Sequence, residues 1–77
     1  MLMQQATNLR PMRVARLRLG LTLLQVAKKC EEHGVTISEG ALSRIERGQY
    51  AGRPETRAAL AAVLNLDAAA DFEVAAR

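Results

Sequence analysis

The amino-acid sequence predicts an all-α fold, a compact bundle of about five short helices. Of the 77 residues, 49% are hydrophobic but only 3% are aromatic, so the core must consist mainly of aliphatic side chains, as is typical of packed helices. Signals that start and end helices recur along the chain. A chain of this length buries only about 60% of its unfolded surface. We therefore expect one domain over residues 9–77, preceded by a flexible arm over residues 1–8.

The first predicted helix spans residues 9–19. Asn8 is a suitable N-cap, Pro11 fits the first turn of a helix, and Gly20 ends it. The apolar residues that this helix offers to the core are Leu9, Met12, Leu17 and Leu19. Arg16 lies one helical turn from two of them and therefore borders the buried face.

The second predicted helix spans residues 23–33 and begins with a capping box. Thr22 and Gln25 have the T-x-x-Q spacing, in which side chains and backbone N–H groups satisfy each other at a helix start. Gly34 ends the helix. A stripe of apolar residues recurs at i, i+3, i+4 and i+7, the spacing of a buried helix face, and consists of Leu23, Val26, Ala27 and Cys30.

The third predicted helix lies between Ser38 as N-cap and Gly48 as C′ residue, and its two faces differ chemically. Thr36 and Glu39 also have the spacing of a capping box, so the sequence allows either Thr36 or Ser38 as the N-cap of this helix. At about 100° per residue, the apolar wedge contains Ala41, Leu42 and Ile45, and the polar wedge contains Glu39, Gly40, Ser43, Arg44 and Arg47. Glu46 lies at the edge of the apolar wedge and requires a cationic partner.

Two further helices are predicted near the end of the sequence. The fourth begins at Pro54, which fits a first helical position, and ends with Asn65 as C′ residue. Asp67 can cap a short alanine-rich fifth helix anchored by Phe72 and Val74. A helix this short is marginal alone, so it must pack on its own bundle or on another copy of the chain.

The charge of the chain is unevenly distributed. Up to residue 53 there are nine Lys/Arg residues against four Asp/Glu residues, whereas residues 54–77 carry two against four. A basic segment favours a polyanionic partner. A solvated surface of lysine and arginine is the simpler alternative.

Several classes of function are disfavoured by the composition. With one histidine, one cysteine and no paired acidic cluster, the sequence offers neither catalytic residues nor metal ligands, and we expect no enzyme activity and no cofactor. A single cysteine excludes an internal disulfide and indicates a reducing compartment. The sequence lacks a secretion signal and an apolar run of about 20 residues. These features predict a cytoplasmic protein with no membrane association.

Several short motifs occur together in one order along the chain. They are Arg16, Leu19-Gly20-Leu21-Thr22, Val26-Ala27, Leu42-Ser43-Arg44-Ile45-Glu46-Arg47-Gly48, and Leu60, Val63, Leu64 and Leu66. This order, over roughly residues 9–74, resembles the Cro/C1-type (XRE) helix-turn-helix family, whose fold is lambda-repressor-like. The resemblance implies an ion pair between Arg16 and Glu46, in agreement with the placement of both residues at buried edges.

The sequence departs from that family in two ways. Leu23 stands where members commonly have a glutamine that meets the DNA backbone. The interval from Ala27 to Leu42 is also longer than in the compact members and resembles a long-turn subgroup, matched here by residues 34–38. The angle between the second and third helices can therefore differ from that of the phage repressors.

The resemblance implies a DNA-binding role for the third helix. A helix-turn-helix places its second helix in the major groove with N-terminal residues at base edges, which here are Glu39, Gly40, Ser43 and Arg44. Arg44 can present two donors to a guanine, a contact worth about 1–3 kcal/mol of discrimination. Glu39 either accepts from cytosine or pairs with Arg44 or Arg47. Gly40 either allows close approach of the backbone to the duplex or marks ordinary fraying.

A second set of residues is expected at DNA phosphates, where contacts position the protein without reading sequence. The set comprises Thr22, Ser38, Arg47, Gln49, Tyr50 and Arg53. Thr22 would act through its backbone N–H at a helix N-terminus. Tyr50 has the alternative of packing over its own loop.

The expected function is sequence-specific binding of double-stranded DNA as a transcriptional regulator, most simply a repressor. Because one copy reads few bases, we expect a homodimer on a palindromic operator with half-sites about 34 Å apart, joined through the segment after Leu64. Two alternatives are an antitoxin that also binds a toxin, and a protein-interaction module that uses the fifth helix and does not bind DNA.

Overall fold

The computed structural model describes residues 10–72, and within that range it contains four α-helices and no strand. The helices are α1 (Pro11–Arg18), α2 (Leu23–Glu31), α3 (Glu39–Glu46) and α4 (Pro54–Leu64). The predicted all-α class is confirmed. The predicted arm over residues 1–8, and also Leu9 and Val74, lie outside the described residues.

The core is formed where α2 contacts both α3 and α4, while α1 packs against α4. Each helix contributes at least one fully buried side chain, and the largest are Met12, Val26, Cys30, Leu42 and Leu60. The buried stripe predicted for α2 is confirmed, because Val26, Ala27 and Cys30 are buried and Leu23 is partly buried. Burial raises the pKa of the Cys30 thiol, which keeps it protonated and suits it to an apolar core.

The helix starts follow local side-chain chemistry. Thr22 Oγ1 accepts from the Gln25 N–H at 3.1 Å, and Gln25 Oε1 accepts from the Thr22 N–H at 2.8 Å, so the predicted capping box is confirmed. Ser38 Oγ accepts from the Ala41 N–H at 3.1 Å. Ser38 rather than Thr36 is therefore the N-cap of α3.

The first helix differs from its prediction at both ends. It begins at Pro11 and not at residue 9, with Arg10 extended as N-cap (φ −68°, ψ 155°), because a residue that precedes proline is disfavoured in the helical region. Leu17 and Leu19 were expected in the core but are 51% and 54% exposed. At about 100° per residue, Leu17 lies about 140° around the helix from buried Met12, and Leu19 follows the last helical residue.

Where the fifth helix was predicted, residues 68–72 form a hydrogen-bonded turn, and the remainder of that prediction lies outside the described residues. Asp67 does cap this segment, since its Oδ1 accepts from the N–H groups of Ala69 at 2.8 Å and Ala70 at 2.9 Å. The Ala70 bond and then the Ala69 bond lower the pKa of Asp67. Asp71 Oδ2 accepts in return from the Asp67 N–H at 2.8 Å. One turn gains too few bonds to offset helix nucleation, and buried Phe72 anchors it instead.

Candidate nucleic-acid interface

Helix α3 is attached to the core by one face only. Leu42 is fully buried and Ile45 nearly so, which fixes the orientation of the opposite face. The helix ends where the Gln49 N–H donates to the Arg44 carbonyl and the Gly48 N–H donates to the Ile45 carbonyl, both at 3.0 Å. This pairing requires a left-handed residue at Gly48, whose φ is +78°.

An ion pair links the end of α3 to α1. Glu46 is 6% exposed, and its carboxylate accepts from Arg16 Nε at 2.6 Å and from Arg16 Nη2 at 3.2 Å. Arg16 Nη1 donates to the Leu21 carbonyl at 2.8 Å. The structure thus brings together the two residues that the family resemblance pairs, and it surrounds both charges with hydrogen-bonding partners.

Arg10 and Arg13 also lie beside this end of α3, although neither was predicted to be part of the site. Arg13 Nη1 is 3.8 Å from a Glu46 oxygen, and the guanidinium of Arg10 occupies the space that a side chain at Gly48 would need. Together with Arg16 these arginines recur every three residues, the spacing of one helix face. This spacing is the feature of the sequence from which the position of Arg10 and Arg13 beside Arg16 could have been predicted.

The outer face of α3 is polar and accessible. Glu39, Gly40 and Arg44 are exposed, and Ser43 is half-buried. Within residues 10–72, no ion pair joins Glu39 to Arg44 or to Arg47, so one alternative for Glu39 is not realised. Glu39 lies instead in the first turn of α3, where the helix dipole stabilises a carboxylate.

The candidate residues at the two ends of α3 still have hydrogen-bond donors that are available to an external partner. Arg47 Nε donates to the Ser43 carbonyl at 3.3 Å, which leaves its other guanidinium N–H groups available. Ser38 Oγ acts as the cap acceptor, and its O–H can still donate. The backbone N–H of Gln49 is used to end the helix, so only its side chain can make a contact.

The backbone N–H of Thr22, which was expected to contact a phosphate, has an acceptor inside the protein. The Thr22 N–H is already donated to Gln25 Oε1 within the capping box. The Thr22 hydroxyl and the N–H groups of Leu23 and Leu24, which have no acceptor within the helix, are the donors that remain at this end of α2.

Tyr50 and Arg53 are exposed and line a cleft of about 460 Å³ between the turn that precedes α3 and the start of α4. Ser38 lines the same cleft. The structure therefore brings these three candidates together around one cleft, and Thr22 is not among the residues that line it.

No three His, Cys, Asp or Glu residues lie close enough to hold a metal ion in the part of the chain that the structure describes. None of the helices between residues 10 and 72 is both long and apolar enough to cross a membrane.

The connected pair α2 and α3, with the outer face of α3 exposed, defines a helix-turn-helix DNA-binding domain as the class of protein. A family model described as a helix-turn-helix domain matches residues 6–72, and the chain belongs to that family. No curated protein and no solved structure matches the chain.

Proposed function

We propose that this chain is a sequence-specific, double-stranded-DNA-binding transcriptional regulator of the Cro/C1 type in its long-turn form, acting in the cytoplasm as a repressor that occludes a promoter. The observation that carries the proposal is the two-faced packing of α3. Leu42 and Ile45 are buried, and Arg44 on the opposite side is exposed with no ion pair among residues 10–72.

The Cro/C1 assignment is supported by the environment of the motif over residues 42–48. Its apolar residues are buried, Glu46 pairs with Arg16, and Gly48 supplies the left-handed helix end. Each of these motif residues therefore has a physical reason for its identity, whereas the Arg44 side chain has no hydrogen-bonding or ion-pair partner among residues 10–72. An external partner for Arg44 is the simplest account.

In the proposed complex, α3 enters the major groove. Base edges are read by Glu39, Gly40, Ser43 and Arg44, and phosphates are contacted by Thr22 through its hydroxyl, Ser38, Arg47, Gln49, Tyr50 and Arg53. Only the first set discriminates between sequences.

The Arg44→Ala variant tests this function. DNA fragments bound by the wild-type chain are first selected from random or genomic DNA. We expect the variant to lose about 10- to 100-fold in affinity for the selected site, the equivalent of about 1–3 kcal/mol for a bidentate guanine contact, and much less for random duplex. The matched control is Lys29→Ala, which also removes an exposed cation from the last turn of a helix. Equal losses on both duplexes would assign Arg44 to phosphate contact instead.

Gly40→Ala separates the stability of α3 from its function. A side chain at Gly40 would meet only Ser38 Oγ, at 4.0 Å, so the protein itself has room for it. Alanine should raise the free energy of unfolding by up to about 1 kcal/mol through helix propensity. Affinity for the selected site should fall, because the added methyl group faces the duplex. Chemical denaturation and a binding titration of the same samples measure both, and unchanged affinity would remove Gly40 from the interface.

We further propose that the working form is a homodimer on a palindromic operator. The apolar contacts expected after Leu64 are unavailable at Phe72, which is buried. Leu17 and Leu19 are exposed instead, and Leu19 lies beside an apolar groove of about 390 Å³ between α1 and the end of α4.

The same surface favours a second candidate function, in which the chain is an antitoxin and its toxin covers these leucines. Sedimentation of the chain alone and with any co-purifying protein distinguishes the two.

A further inference from the structure

The loop between α3 and α4 makes few hydrogen bonds of its own. Within residues 10–72, the backbone groups of residues 50–52 take part in one hydrogen bond, which the Gly52 carbonyl accepts at 2.6 Å from Nη1 of Arg57 in α4. The donor is charged, and a charged donor forms a shorter and stronger hydrogen bond than a neutral one. The Arg57 side chain therefore supplies the polar link between this part of the loop and α4.

Gly52 also fits closely against α3. Its φ is +83°, and a Cβ at this position would lie 3.1 Å from Ile45 Cδ1 and 3.6 Å from Thr56 Cγ2. A side chain would therefore have neither a favourable backbone conformation nor enough room. Ile45 is 4% exposed and belongs to the core. Gly52 thus lies against the buried face of α3 and is bonded to α4.

The stability of α4 does not explain an arginine at position 57. Arg57 is the fourth residue of the helix, near the end where the helix dipole disfavours a cation. It makes no ion pair among residues 10–72. Its side chain is half-buried, which costs rotamer entropy. The hydrogen bond to Gly52 is the interaction that offsets these costs.

Two exposed side chains flank Gly52 in the sequence. Tyr50 precedes it by two residues and Arg53 follows it directly, and both line the cleft beside the start of α4. Arg57 is not among the residues that line this cleft. It is therefore placed to support the loop and not to contact what the cleft binds.

We propose that Arg57 is a positioning residue, which orders residues 50–53 in the free protein and thereby fixes where Tyr50 and Arg53 meet DNA. This inference rests on the proposed function, because that function assigns both side chains to DNA phosphates. A loop that is already ordered loses less conformational entropy on binding. Arg57 thus raises the affinity for every duplex, and it carries no sequence information because phosphate contacts carry none.

The first experiment measures the loop without DNA. Backbone amide relaxation is recorded for the wild-type chain and for Arg57→Met, which keeps an apolar stem but has no donor. We expect the order parameters of residues 50–53 to fall from about 0.85 to below about 0.6, the values of rigid and flexible backbone. The control Lys29→Met, which removes an exposed cation from α2, should leave the loop unchanged. A loop that stays rigid in Arg57→Met would overturn the proposal.

Two comparisons identify the cause of the change. Arg57→Lys keeps a charged donor, so its loop should be closer in order to the wild type than the loop of Arg57→Met. A lysine variant as mobile as the methionine variant would overturn the hydrogen bond as the cause. If Arg57→Met loosens the core amides of α3 and α4 as much as those of the loop, the arginine holds the whole fold and the positioning role is overturned.

The second experiment measures DNA binding. Arg57→Met should lower the affinity about 3- to 10-fold, the range expected when side chains must be ordered on binding. The loss should be the same for the selected site and for random duplex, because the contacts are to phosphates. Lys29→Met should lower the affinity less. Equal losses from the two variants would show an effect of net charge alone and would overturn the positioning role.

A double-variant comparison tests whether Arg57 acts through the loop side chains. In a chain that already carries Tyr50→Ala and Arg53→Ala, Arg57→Met should lower the duplex affinity by less than about twofold more, because residues that act through one another have non-additive effects. A further loss as large as that in the wild-type background would show that Arg57 acts independently of these side chains and would overturn the proposal.

The two experiments separate this inference from the proposed function. A looser loop in Arg57→Met with unchanged duplex affinity would overturn the positioning role and leave the proposed function intact. A looser loop in a chain that selects no duplex would overturn the proposed function, while the anchoring of the loop by Arg57 would stand.

Discussion

Replacing Arg16 by methionine is expected to lower the free energy of unfolding by about 3–5 kcal/mol. The substitution leaves the Glu46 carboxylate, 6% exposed, without the guanidinium that donates two hydrogen bonds to it, and removing one partner of a buried pair carries a penalty of that size. The total free energy of unfolding of a small domain is about 5–15 kcal/mol. Urea denaturation should therefore show a large fall in the midpoint with little change in slope.

Two further variants decide the cause of that loss. Arg13→Met removes an exposed arginine 3.8 Å from the same carboxylate and should cost less than about 1 kcal/mol, as exposed pairs do. Combining Arg16→Met with Glu46→Leu should recover much of the stability, because no unpaired charge is then buried. If the double variant is no more stable than Arg16→Met, the loss comes from packing of the arginine stem and not from the stranded charge.

Leu42→Ala is expected to cost about 2–5 kcal/mol. Leu42 is fully buried, on the helix whose other face carries Arg44. Removal of the side chain leaves a cavity beneath α3, so the helix that carries the polar residues is packed less firmly against the core. Denaturation should record the loss of stability, and DNA affinity should fall with the folded fraction.

Leu24→Ala is the matched control, since Leu24 is about half exposed and surface substitutions usually stay within about 0.5 kcal/mol. Leu42→Met, which nearly conserves volume, should cost under about 1.5 kcal/mol. A cost for Leu42→Ala that is no larger than that of Leu24→Ala would contradict the packing described for α3.

Local rules predicted the start of α2, and the end and the two faces of α3. The capping box of Thr22 and Gln25 and the left-handed Gly48 depend on residues close in sequence. The need of Glu46 for a cationic partner follows from its position on one helix face, but the partner, Arg16, lies on another helix 30 residues away and was implied by the family resemblance. The two faces of α3 follow from the same periodicity. Such features can be predicted from the sequence without knowledge of how the helices pack.

The errors concern properties that tertiary packing decides. Leu17 is exposed because α1 packs against α4 through the side that carries Met12, and nothing within the helix specifies that choice. Residues 68–72 form a turn where a helix was predicted, and this turn is held by the burial of Phe72 in the common core.

The placement of the arginines gives the molecule two different responses to ionic strength. Arg44, Arg47 and Arg53 are exposed, so their attraction for an anion is screened beyond about 8 Å in physiological salt. Arg16 is largely enclosed with Glu46, where mobile ions cannot intervene. A high salt concentration should therefore dissociate double-stranded DNA from this protein, while the protein itself remains folded and able to bind again.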